Sequence, residues 1–150
     1  MKQLSTLTLL LFSCAVTTAQ SIWKNPIDGG TINSANNPYT TGDVVADSIT
    51  VSGIGASSGI FVVTSSNRFN ANTWAATFET GDYFAFTLTP DADKFIHFEN
   101  FNFSYQKSPK GPTNYSLRTS ADNFTSDIAS DSLQDSGNST IPLSHSVFGN

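Results

Sequence analysis

The chain has 150 residues, with 12 acidic against 7 basic side chains for a net charge of −5; 38% is hydrophobic and only 13% charged. That acidic balance argues against nucleic acid, whose phosphates demand a basic face, and against anionic membrane surfaces. The length suits a single domain with a core of its own.

Residues 1–19 read as a secretory signal peptide: Lys2 is the positive start, Leu4 to Val16 the apolar run, and Thr17-Thr18-Ala19 the small-residue cleavage site before Gln20. The run is shorter than the ~20 residues of a membrane span, and no second one follows, so a secreted product without a membrane span is expected. Leu11-Phe12-Ser13-Cys14 resembles a lipobox with a bulky residue at Phe12, which makes a lipoprotein the alternative. Cys14 is the only cysteine, so the mature chain has neither a disulfide nor a thiolate metal site.

Residues 20–150 read as one domain. Residues 20–48 form a turn-rich lead-in, marked by Asn25-Pro26, Asp28-Gly29-Gly30, Asn36-Asn37-Pro38 and Thr41-Gly42-Asp43. Ile49–Ser52 and Ile60–Thr64 read as strands flanking a Gly/Ser-rich turn. Phe84, Phe86 and Leu88 then alternate with Tyr83, Ala85, Thr87 and Thr89, the pattern of a strand with one buried face. Ile96 and Phe98 are apolar at even positions, but Phe101, Phe103 and Tyr105 at odd ones. A side-chain period of two cannot hold both sets on one face, which predicts a β-bulge at Glu99-Asn100. Tyr115 and Leu117 resume the alternation after Pro109, Gly111 and Pro112, so these segments are expected to pair around a rigid loop. Residues 129–150 are polar, with only Ile141, Leu143, Val147 and Phe148 as further apolar fill after Leu133. The expected fold is all-β, an antiparallel jelly-roll-like β-sandwich truncated at its C-terminal end.

Chemical motifs are sparse. Gly55-Ala56-Ser57-Ser58-Gly59 matches the G-x-S-x-G nucleophile elbow, but a β-branched strand follows it where that elbow needs a helix. His97 and Glu99 share a face by parity with no third ligand or catalytic partner. Asp91 and Asp93 offer oxygen atoms to calcium, as do Asp28, Asp43 and Asp47, although aspartate is ordinary in turns. Trp74, Tyr83 and Arg118 are the candidate ligand-binding residues: Trp74 follows a loop-like Asn70-Ala71-Asn72-Thr73, and aromatic rings can carry sugars. Core packing for the rings and a surface salt bridge for Arg118 are the competing roles. Asn102, Asn114, Asn123 and Asn138 each head an N-x-[ST] sequon.

The segment Ser108-Pro109-Lys110-Gly111-Pro112-Thr113-Asn114-Tyr115-Ser116-Leu117-Arg118-Thr119-Ser120-Ala121-Asp122-Asn123-Phe124 resembles a recurrent stretch of large secreted bacterial proteins. Most of these are type IX secretion cargo of the Bacteroidetes type, with relatives bearing PEP-CTERM anchors. Ile49–Gly55, Asn67–Trp74 and Asp82–Pro90 fit the same family in order. The resemblance implies a jelly-roll-like module at the cell surface, followed in full-length proteins by a sorting or anchor domain. It also implies O-glycosylation of D-[ST]-aliphatic sites, matched by Asp47-Ser48-Ile49 and Asp131-Ser132-Leu133. It carries no established activity. The expectation is therefore a non-catalytic module without a cofactor that binds extracellular glycan or surface matrix. A structural accessory domain of a larger exported protein is the alternative.

Overall fold

A computed structural model describes residues 20–143. The signal-peptide and lipobox readings on residues 1–19, and the apolar Val147 and Phe148, fall outside those residues. The described chain is all-β. Its strands are β1 (Trp23–Lys24), β2 (Thr31–Ile32), β3 (Val44–Val45), β4 (Ile49–Val51), β5 (Gly55–Ala56), β6 (Phe61–Val62) and β7 (Ser65–Ser66). They continue with β8 (Ala71–Asn72), β9 (Phe84–Ala85), β10 (Leu88–Pro90), β11 (Asn100–Gln106), β12 (Asn114–Leu117), β13 (Ala129–Ser132) and β14 (Ser136–Pro142). Two 3₁₀ turns, Ser34–Asn36 and Ser120–Asp122, are the only helical elements among the described residues, and no helix there is long and apolar enough to cross a membrane. Glycine, proline and asparagine recur too often for a helix to propagate, while the short β-branched and aromatic runs between them suit strands.

All strand pairs are antiparallel, in the combinations β1–β3, β2–β7, β4–β10, β5–β9, β6–β8, β11–β14 and β12–β13. The segments Ile49–Ser52 and Ile60–Thr64 flank a turn at Ser58-Gly59 but pair with other strands rather than with each other. Ile49 and Val51 pair with Pro90 and Leu88, and Gly55 and Ala56 with Ala85 and Phe84. The register steps by one residue between these ladders, so Gly53 and Ile54 together face Phe86. This is a β-bulge. Gly53 sits at φ +79°, the left-handed conformation that glycine adopts without a Cβ penalty. Ile54, released from the ladder, pairs with Tyr39 through N–H···O bonds of 2.8 and 3.0 Å. The Ser52 hydroxyl closes the step by accepting from the Thr87 N–H at 2.8 Å and donating to the Gly53 carbonyl at 2.9 Å.

The expected pairing around the Pro-Gly-Pro loop is also replaced. β11 pairs along its whole length with β14, and β12 with β13. Lys107 N–H donates to the Asp135 carbonyl and Leu133 N–H to that of Thr113, so residues 108–112 bulge out opposite Gln134 alone. The chain folds back there. Ser139 and Asp131, partners of Phe103 and Tyr115, are eight residues apart, roughly 26 Å along a straight strand. Yet the Phe103 and Tyr115 rings meet at 5.2 Å, and the Tyr115 hydroxyl lies 3.0 Å from that of Ser139. The two ladders therefore approach each other, with Phe103 and Tyr115 meeting between them.

The polar C-terminal stretch thus supplies a strand, and it seals rather than opens this part of the core. Ile141 and Leu143 are only 3% and 9% exposed. The phase change before β11 needs no bulge, since the strand begins at Asn100 and Leu143 N–H reaches the Glu99 carbonyl in unchanged register. Ile96 and Phe98 simply precede the strand. The turn-rich lead-in carries core as well: Ile32 is fully buried and Tyr39 nearly so. Rings connect the rest, through Trp23–Phe86–Phe101–Phe103 on one side and Tyr39–Phe69–Phe84–Trp74 on the other. Phe84 and Phe86, expected on one face, join different clusters, Phe84 with Phe69 and Trp74 and Phe86, opposite the bulge, with Trp23 and Phe101.

Candidate functional site

The outer face of the β12–β13 hairpin forms a shallow groove of about 540 Å³. Leu117 and Ala129 stay out of it, while β12 lines it with Asn114, Tyr115 and Ser116, followed by Arg118, and β13 with Ser130, Asp131 and Ser132. The 119–126 connection then fixes Arg118. Asn123 and Phe124 adopt φ of 57° and 59°, and their N–H groups close on the Ser120 and Thr119 carbonyls at 3.2 and 2.9 Å. That is a Schellman-type ending of the Ser120–Asp122 turn. It leaves the Phe124 carbonyl free to accept from Arg118 Nη1 at 3.1 Å.

Arg118 Nε donates to Asp127 Oδ1 at 2.6 Å, and Asp127 Oδ2 accepts from the Ser116 hydroxyl at 3.0 Å. The Arg118 hydrogen bond holds the Asp127 carboxyl below its usual range against the opposing effect of burial, with smaller help from the Ser116 hydrogen bond and the guanidinium charge. The nearby Asp122 carboxyl is lowered too, by hydrogen bonds from Ser126 first and Thr125 next. Phe78 forms a wall of the groove: the Arg118 guanidinium carbon lies 4.7 Å from its ring centroid, and the ring is 62% exposed. Arg118 is thus charge-matched rather than an open anion site. What remains is an aromatic ring beside hydroxyl, amide and carboxylate groups held in fixed directions.

The sequence-derived candidates distribute unevenly. Arg118 lies in the groove. Trp74 and Tyr83 bracket the loop that carries Phe78 without lining the groove themselves. Trp74 stands edge-on to Phe84 at 5.2 Å and donates from Nε1 to the Ala71 carbonyl at 3.0 Å, a packing role. Tyr83 is 51% exposed, with its backbone paired to Ser57. Asp91 and Asp93 are exposed on a turn closed by Lys94 N–H on the Asp91 carbonyl. No three His, Cys, Asp or Glu side chains gather to hold a metal among the described residues. The Ser57 hydroxyl donates to the Gly81 carbonyl at 2.5 Å and accepts from Tyr83 N–H at 3.2 Å, so it ties a loop down.

Sequence reasoning missed Phe78 and Asp127. Phe78 had a signal, as a lone aromatic between Ala76-Thr77 and Glu79-Thr80 in a polar loop. Asp127 had none, because its pairing with Arg118 depends on the return path of the 119–126 turn. Comparison with protein-family models, curated proteins and solved structures returns no match for this chain.

Proposed function

We propose that the chain is a secreted, non-catalytic module of jelly-roll-like β-sandwich type that binds extracellular glycan in the Arg118 groove at the cell surface. The observation that carries this reading is the groove's make-up: the exposed Phe78 ring beside Asn114, Ser116, Ser130, Ser132 and the Arg118–Asp127 pair. A sugar ring offers an apolar C–H face to an aromatic wall and hydroxyls to amide, hydroxyl and carboxylate partners, and a pocket needs few such polar groups if they are fixed. The Arg118–Asp127 contact fixes itself and the Ser116 hydroxyl, and with Asp131 also lining the groove its charge balance favours a neutral ligand over a polyanion in a chain of net charge −5.

The absence of catalysis is supported by the commitments of the polar groups. Ser57 is spent on backbone atoms, and Arg118 and Asp127 on each other. The test is a glycan array probed with the purified protein, followed by titration of the strongest hit into Phe78→Ala and Arg118→Ala. Both variants should weaken binding by about tenfold or more, as truncation of a central anchor does. A blank array would overturn the reading and leave the structural accessory role in an exported protein.

A further inference from the structure

We infer that the molecule carries a second, wholly uncharged sugar-binding groove built around Phe61. It is lined by Ser34, Asn37, Ser58 and Phe61, with Ile60 and Val62 behind, and encloses about 440 Å³. No charged side chain lines it, in contrast to the Arg118 groove.

Its parts are rigid for separable reasons. Ile60, 3% exposed, buries one side of the chain and so drives the next residue outward, leaving the Phe61 ring 64% exposed. The backbone of Phe61 is held by pairing with Asn72 in β8. Across the groove, the Asn37 carboxamide grips the backbone of Ala56 in both directions, Oδ1 accepting at 2.8 Å and Nδ2 donating at 3.2 Å. Asn33 caps the Ser34–Asn36 turn by accepting from Ala35 N–H at 2.9 Å, and Asn36 returns a bond to Asn33 N–H at 2.9 Å. That turn presents Ser34. The hydroxyls of Ser34 and Ser58 are exposed and have no hydrogen-bond partner among the described residues.

An exposed ring on a paired backbone beside two uncommitted hydroxyls suits a neutral hexose or pentose ring, with C–H groups over Phe61 and hydroxyls on Ser34 and Ser58. A charged ligand would find no counter-charge there. An anionic sugar therefore gains nothing from its charge in this groove, and binding of a neutral one is independent of salt. The inference does not require the Arg118 groove to bind anything.

The experiment is saturation-transfer NMR on the intact protein with cellohexaose, laminarihexaose, mannohexaose and xylohexaose, compared with Phe61→Ala, Arg118→Ala and the double variant. Phe61 is exposed, so Phe61→Ala is expected to fold normally, checked by unchanged thermal unfolding. For at least one sugar, binding should persist in Arg118→Ala and weaken by about tenfold in Phe61→Ala. It should also survive a rise in NaCl from about 0.1 to 1 M, which shortens the screening length from about 10 to 3 Å. Equal affinity of Phe61→Ala and the native protein for every sugar, or no binding of any of the four, overturns the second groove. Loss in Phe61→Ala with no change in Arg118→Ala upholds it, and the Arg118 groove stands or falls separately on the glycan-array hit and its Phe78→Ala and Arg118→Ala variants.

Discussion

Replacing Gly53 with alanine tests the bulge on which the central pairing depends. Gly53 at φ +79° and Gly30 at φ +81° share a backbone conformation but not surroundings. A Cβ at Gly53 would lie 2.5 Å from the Tyr39 carbonyl oxygen and 2.5 Å from Thr40 Cγ2, whereas one at Gly30 meets nothing within 4 Å. The conformational cost is common to both, about 1 kcal/mol for a non-glycine residue in the left-handed region. The steric cost belongs to Gly53 alone. The Thr40 methyl can rotate away, but the Tyr39 carbonyl is backbone, hydrogen-bonded to Ile54 N–H at 3.0 Å and flanked by a side chain only 2% exposed. Forcing it back adds the penalty of an overpacked core, about 1–3 kcal/mol. Gly53→Ala should therefore cost about 3 kcal/mol and Gly30→Ala about 1 kcal/mol. At about 4 °C per kcal/mol for a chain of this size, the melting temperatures should fall by roughly 12 and 4 °C. Thermal and urea unfolding followed by tryptophan fluorescence would read both. Equal shifts in the two variants would refute the close approach of Gly53 to Tyr39 and with it the bulge geometry.

Three further outcomes are expected. Ile141→Ala should destabilise by about 2–5 kcal/mol in denaturant unfolding, as a truncated core aliphatic does, because Ile141 is 3% exposed opposite Phe101; a change near zero would mean that β14 does not close the core. Asp127 has a carboxyl pKa lowered by Arg118, so its contribution is present above the ordinary value of 3.8 and is lost as pH falls through the lower folded value. The stability gap between the native protein and Asp127→Asn should be under about 1 kcal/mol at neutral pH, since the pair is partly exposed. It should shrink as pH falls below 3.8 and vanish only once pH is below the lowered folded value, and a gap unchanged in acid would argue against the pairing. Ser57→Ala should cost about 1 kcal/mol by freeing the Gly81 carbonyl and Tyr83 N–H, and a fluorophosphonate probe should leave the native Ser57 unlabelled.

Local pattern was enough for the all-β class and for the faces of β11, one of the two seven-residue strands. Phe101, Phe103 and Tyr105 inward with Asn102, Ser104 and Gln106 outward follow from a period of two, whatever the partner. Arg118 was legible as a salt-bridging surface residue for the same reason, and it is half-buried beside Asp127. Partner choice was not legible. Gly53, Gly55 and Gly59 signal flexible backbone, and a hairpin turn and a bulge need the same residue, so only the pairing of β4 and β5 with the distant β9 and β10 distinguishes them. The polar stretch Ser136–Thr140 looks like a tail because its side chains bury little. It becomes a strand because its backbone satisfies that of β11, and backbone hydrogen bonding leaves no trace in side-chain hydropathy. Tyr39 and Ile32 are buried for a similar reason, inside a segment whose composition reads as turns. Both grooves belong to this second kind of information. Phe78 reaches Arg118, and Asn37 reaches Ala56, across 40 and 19 residues of sequence, and such contacts exist only once the chain has returned on itself.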